Sequence, residues 1–201
     1  MGRSKVTTIL QPTDYTCGPA SVKHALAVLG KRKSMSFLTK LCKTSRNGTT
    51  TKNMIQAMNA LGLSVLTVEK ATLRHMTSAL KHSPKTPRAV IVDYLYTLKD
   101  AQDDEPWLES GHWAAVSSYR ARDSKIVLFD SYSGTKKSYF WSDFRERWFD
   151  FDIVKKKLTD GSNTYKSFRR WQKQLLLVVA SDEKHLPKFR TPGVKFYPSV
   201  N

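Results

Sequence analysis

Two cysteines are all that the 201 residues contain, Cys17 and Cys42. That excludes a disulfide-stapled secreted scaffold, and a bond between the two would consume the one residue framed as a nucleophile. Metal-binding spacings are missing: there is no Cys-x-x-Cys and no His-x-x-x-His, and Gly30-Lys31 lacks the rest of a phosphate-binding loop. No apolar run approaches the roughly 20 residues that span a bilayer. The opening Met1-Gly-Arg-Ser-Lys-Val6 has no secretory apolar stretch, and Val6 stands where myristoylation needs Ser or Thr. No internal repeat or long low-complexity segment occurs. The expectation from these absences is no cofactor, no metal, no membrane span and a cytoplasmic location, intracellular or, in a virus, virion-associated. Acidic residues are also scarce, 17 against 34 basic, which gives a net charge of +17.

What is present suits one compact domain, since 201 residues with 40% hydrophobic content can bury a sizeable core. Helical patterns run over residues 18–29, 35–43, 51–61 and 71–82, the third capped by Thr50 or Thr51. Strand patterns follow at 63–68 and 88–94, then after His112 and up to Asp130, and again at 175–180, with a further helix over 141–148. Helices dominate the first 85 residues and strands the next 50. The domain is expected over residues 1–182. Residues 183–201, with Pro187, Pro192, Gly193 and Pro198, are expected as a basic extended tail, laid on the body or mobile.

Cys17 opens the first helix in the frame Gln11-Pro-Thr-Asp-Tyr-Thr-Cys17-Gly18-Pro19-Ala20. A lone cysteine at such a place is ordinarily a small buried hydrophobe. Here Gly18 permits close backbone approach, and Pro19 suits a first turn in which its missing N–H costs little. A thiol at a helix N-terminus is also stabilised as thiolate. Gln11 lies close enough in the chain to donate its amide into an oxyanion pocket. A base stands in Gly111-His112-Trp113, where a strand begins, and Asp130 stands where the next strand ends. A turn near Arg122-Asp123-Ser124 would make the two strands antiparallel neighbours and bring His112 to Asp130. Amide cleavage needs an ionised nucleophile, a proton donor for the leaving amine and fixed oxyanion donors; these residue types supply all three. Asp93, at the end of Ala89-Val-Ile-Val-Asp93, is the alternative carboxylate, and either aspartate could be an ordinary strand-end turn residue. Cys42 reads as core packing, and His24, His75, His82 and His185 as surface residues.

In these motifs the chain resembles papain-like cysteine peptidases, most closely the branch of bacteriocin leader peptidases that cut after double glycines. The resemblance covers residues 8–134. It rests on Gln11, on Cys17-Gly18-Pro19-Ala20 with the helix after it, on Gly48 to Gly62, and on Gly111-His112-Trp113 followed by Asp130. It implies an α+β papain-like fold, with the thiol on a helical lobe and the imidazole on an antiparallel sheet lobe. It also implies the roles of Cys17 as nucleophile, His112 as general base and acid, Asp130 as orienter and Gln11 as oxyanion donor, with Gly18, Gly111 and Trp113 contacting substrate. Asp93 precedes the histidine and so breaks the family order. Two departures stand out: Thr16 where these enzymes often carry an acid, and Ser131 where they often carry proline. Both bear on the leader-peptide substrate more than on the mechanism.

The implied function is cleavage of a peptide or isopeptide bond in a polypeptide substrate through a thioester acyl-enzyme. A transpeptidase or isopeptidase acting on a ubiquitin-like linkage would use the same residues. An inactive basic binding domain, or a nucleic-acid- or virion-associated protease, would use the charge. Lys155, Lys156, Lys157, Lys166, Arg169, Arg170 and Lys173 interleave with Tyr165, Phe168 and Trp171, a pattern that suits a nucleic acid or other polyanion and equally a solvated helix over a core. Asp103-Asp104-Glu105, ahead of His112, is a loop that could select basic substrate residues.

Overall fold

A computed structural model describes residues 6–81, 83, 85–97, 111–157 and 165–200. Helices α1 (Cys17–Val28), α2 (Met35–Leu41) and α3 (Thr51–Ala60) come first. They are followed by strand β1 (Ser64–Val68), helix α4 (Leu73–Leu80) and strand β2 (Ala89–Leu95). Strands β3 (Gly111–Arg120), β4 (Lys125–Asp130) and β5 (Thr135–Phe140) lead into helix α5 (Trp141–Arg147). Strands β6 (Phe149–Lys157), β7 (Tyr165–Lys173), β8 (Leu176–Ala180) and β9 (Val194–Tyr197) complete the order.

Seven strands form one antiparallel sheet in the order β5-β4-β3-β2-β8-β1-β9. Side chains alternate across a strand, so a sheet buried on both faces reads as a continuous apolar run. Leu176 to Ala180 shows how the run is divided. Leu177 and Val179 join the core under α1, α2 and α3, whereas Leu176, Val178 and Ala180 join the opposite core with Met76 of α4 and Phe144 of α5. This is the helical lobe and antiparallel sheet lobe of an α+β papain-like fold.

Residues 155–157 and 165–173 are strand, not helix. Strands β6 and β7 make a separate two-stranded ribbon, with Phe151 opposite Trp171 and Asp152 opposite Arg170. The reason lies in Phe149-Asp-Phe-Asp-Ile153, whose period of two suits a strand with unlike faces. Nor is the segment after residue 182 free of the body. Its β9 pairs with β1, Leu66 opposite Phe196, and the Asn59 amide donates to the carbonyls of Tyr197 and Pro198 at 3.2 and 2.8 Å. The Asp103-Asp104-Glu105 motif and His82 lie outside the described residues.

Candidate active site

Helix α1 begins without a side-chain cap, and that omission shapes the site. Thr16, in the cap position, donates its hydroxyl to the Thr13 carbonyl at 2.9 Å and so does not cover the first turn. Pro19 has no N–H, and the Ala20 N–H already reaches the Thr16 carbonyl at 3.1 Å. The Gly18 N–H is therefore left for the Cys17 sulfur, which also receives the Trp113 N–H. Gly18 is a necessity of packing: a Cβ there would lie 2.7 Å from Thr49, whose loop crosses the start of the helix. The Trp113 indole N–H holds that loop by donating to the Thr49 carbonyl at 2.9 Å.

The antiparallel pairing of β3 and β4 around the short turn Ala121–Asp123 brings His112 to Asp130. His112 Nε2 stands 3.4 Å from Asp130 Oδ1, an ion-pair distance without the alignment of a hydrogen bond, and the ring makes its other polar contact with the Cys17 sulfur. Cys17, His112 and Asp130 are all buried. Asp130 is held by three donors: the Tyr132 N–H to Oδ1 at 3.1 Å, and the Tyr96 and Ser133 hydroxyls to Oδ2 at 3.0 and 2.7 Å. Tyr96 in turn lies under the Lys137 ammonium, 3.7 Å from its ring centroid. The Tyr94 ring meets His112 edge-on and the Tyr96 ring lies 5.0 Å from it, so the imidazole has little room to turn.

Burial alone would raise the Cys17 thiol, disfavour the imidazolium and raise the Asp130 carboxyl. The close polar contacts and opposite charges among the three, with the other donors to Cys17 and Asp130, overturn all three. Cys17 is lowered by His112 and by the two backbone donors, His112 is raised to about 9 by Asp130 and Cys17, and Asp130 falls well below the usual carboxylate range. Each of the three shifts favours the charged form of its group. Cys42 has no such company; burial pushes it up to about 12, as suits a core thiol.

Gln11 is not aimed at the sulfur. Its amide donates to the Thr13 and Asp14 carbonyls at 2.9 and 3.2 Å, and its Oε1 accepts the Ser131 hydroxyl at 2.8 Å. It braces the loop before α1 against the end of β4. Asp93 does not meet His112; it stands opposite Trp113 on β3 and its carboxyl meets that of Asp150. His24 is no surface residue. It is fully buried on α1, stacks on Phe129 at 5.0 Å, accepts the Ile9 N–H at 2.9 Å and is lowered by burial to about 4.

Beside the sulfur opens a cleft of about 750 Å³, lined among others by Cys17, Thr49, Gly111, Trp113, Asp93 and Asp150. Asp150 and Asp152 come from the ribbon and have no counterpart among the residues singled out from the sequence. Only the even-numbered spacing of acids in Phe149-Asp-Phe-Asp could have marked them as sharing one face.

A cysteine at a helix start facing a histidine on a sheet, on this two-lobed fold, defines the class of papain-like cysteine peptidases. The sequence matches the peptidase C39 family over residues 5–157, and the chain belongs to that family. Among solved structures it is similar to the peptidase domain of Streptococcus ComA, a bifunctional ABC transporter involved in a quorum-sensing pathway. The TM-score is 0.58 at 15% identity, covering 88% of this chain and 98% of that one. It is similar also to a double-glycine-motif protease from an AMS/PCAT transporter in complex with its leader peptide. There the TM-score is 0.54 at 18% identity, with coverage of 89% and 94%. No curated protein sequence matches the chain.

Proposed function

We propose that this cysteine peptidase cuts polypeptides through Cys17, His112 and Asp130, by way of a thioester at Cys17. The mutual contact of the Cys17 sulfur with a His112 ring that Asp130 backs is the observation that supports this most directly. The thiolate attacks the scissile carbonyl, the imidazolium protonates the departing amine, and the neutral imidazole then takes a proton from the water that opens the thioester. Asp130 holds the ring in the tautomer and orientation for both transfers. In the oxyanion pocket, Gln11 would release the longer of its two loop contacts, 3.2 Å to the Asp14 carbonyl, and turn that N–H to the tetrahedral oxygen. The double-glycine protease among the structural neighbours makes a leader-type peptide the first substrate to try.

Mass spectrometry of a peptide library tests the reading. Wild-type protein should yield cleaved products and Cys17→Ala none, with the fold intact by circular dichroism. An added amine separates hydrolysis from transfer, since a transpeptidase would give amide adducts in its presence. Gln11→Ala should lower turnover by roughly ten- to a thousandfold if it serves the oxyanion. An unchanged rate would leave it the loop brace described above.

A further inference from the structure

Ser131, to which the triad gives no part, follows Asp130 directly and is bonded twice to Gln11. Its hydroxyl donates to Gln11 Oε1 at 2.8 Å, and its carbonyl accepts the Gln11 backbone N–H, also at 2.8 Å. Both residues are buried, Ser131 almost completely, at 1% relative exposure. The backbone bond would survive with any residue at 131, since every residue has the carbonyl. Nor does the hydroxyl serve Asp130, whose oxygens take the Tyr132 N–H and the hydroxyls of Tyr96 and Ser133. What it acts on is the Gln11 side-chain amide.

That amide has three contacts, and they fix different ends of it. Nε2 donates to the Thr13 and Asp14 carbonyls at 2.9 and 3.2 Å, both in the loop that leads to α1, whereas Oε1 is held by Ser131 at the end of β4. When the N–H on Asp14 swings to a tetrahedral oxygen, the contacts with Thr13 and Ser131 remain. Two anchors at opposite ends of a planar amide keep it from tilting. One alone would let it turn, and an oxyanion donor is effective only where its aim is set in advance. The Ser131 hydroxyl also polarises the Gln11 carbonyl, which strengthens the N–H at the other end of the amide, as in any chain of hydrogen bonds.

We propose that Ser131 is a positioning residue for the oxyanion pocket: its hydroxyl holds and polarises the Gln11 amide so that the freed N–H meets the tetrahedral oxygen. The inference rests on the peptidase reading above and on the part given there to Gln11. Asp130 and Ser131 then act as a unit, one side chain orienting the imidazole and the next orienting the oxyanion donor. A single strand end sets the two in register, although Gln11 lies 120 residues away in the chain.

The test is a double-mutant cycle on the full chain, read as kcat and KM on a fluorogenic double-glycine leader peptide. Ser131→Ala removes the hydroxyl and keeps the backbone bond. It should lower kcat by about two- to tenfold, the worth of one hydrogen bond, and leave KM within about twofold. In Gln11→Ala protein the same change should have no further effect on kcat, because the group it acts through is gone. The alkaline limit near pH 9 should stay in place, which a disturbed Asp130 would not allow. Should Ser131→Ala fail to fold, Ser131→Cys, whose thiol is a weak donor, goes through the same cycle with the same expectations. A wild-type kcat in the Ser131 variant or in Gln11→Ala, an equal loss in both backgrounds, or a moved alkaline limit overturns the proposal while leaving the peptidase reading standing. A wild-type protein that cuts neither this peptide nor any in the library overturns the peptidase reading, and the proposal with it.

Discussion

At the scale of single residues, the alkaline limit of activity belongs to His112. Its imidazolium persists until about pH 9, so kcat/KM should fall as pH rises through that value and the proton donor is lost. Asp130→Ala removes a carboxylate that favours the charged ring, and should move that limit downward; an unmoved limit in a pH–rate profile would deny Asp130 its role. Asp93 has the opposite character, a carboxyl raised in the fold above its ordinary value near 3.9. Because the native state holds the protons of this pair more tightly, its contribution is favourable in acid and is lost as pH rises towards and through about 6, the value for Asp150. Asp93→Asn should therefore raise the stability at pH 8 by about 1–3 kcal/mol through relieved burial, seen as a higher Tm, and flatten the dependence of Tm on pH. Cys17, His112 and Asp130 were legible because each carries its own local frame: a helix start, a strand start and a strand end. Tyr96, Ser131 and Asp150 were not, since nothing near them in the chain marks partners 34, 120 and 57 residues away.

At the scale of elements, the site depends on how closely the Thr49 loop crosses α1. Gly18→Ala would force Thr49 aside, strain its bond to Trp113 and cost about 1–3 kcal/mol by overpacking. The expected readout is a lower Tm together with a loss of kcat, since the N–H of residue 18 moves away from the sulfur. The helix start at Thr50 was readable, and its side chain accepts from the Asn53 N–H as the capping rule requires; Ser34, not singled out from the sequence, caps α2 in the same way. The ribbon was harder to read. Its basic and aromatic residues satisfy a helical as well as a stranded spacing, and the choice is made by contacts that span a hundred residues, such as Asp152 with Thr51. His24 misled for a similar reason: a polar residue on an apolar helix face looks exposed until the chain ahead of Gln11 folds back to donate Ile9 N–H to it.

At the scale of the whole molecule, the net charge of +17 can be tested separately from the cleft. If the charge serves a polyanion such as single-stranded RNA, the affinity should drop steeply with salt. Lys166→Glu with Lys173→Glu, both on the ribbon, should weaken that binding and spare cleavage of a short neutral peptide. Binding that is indifferent to salt would argue against a role for the charge. The last strand carries a different lesson. β1 is buried along its whole length, and β9 is what lies along its outer side. A chain shortened to residue 182 would expose Ser64 to Val68 as an open edge with unpaired backbone groups and valine and leucine side chains, a template for another molecule's strand. Such a truncation should form concentration-dependent β-aggregates by light scattering, with Cys17 and His112 still facing one another in what remains folded. Protection from self-association, more than any contribution to catalysis, is then what residues 194–197 provide.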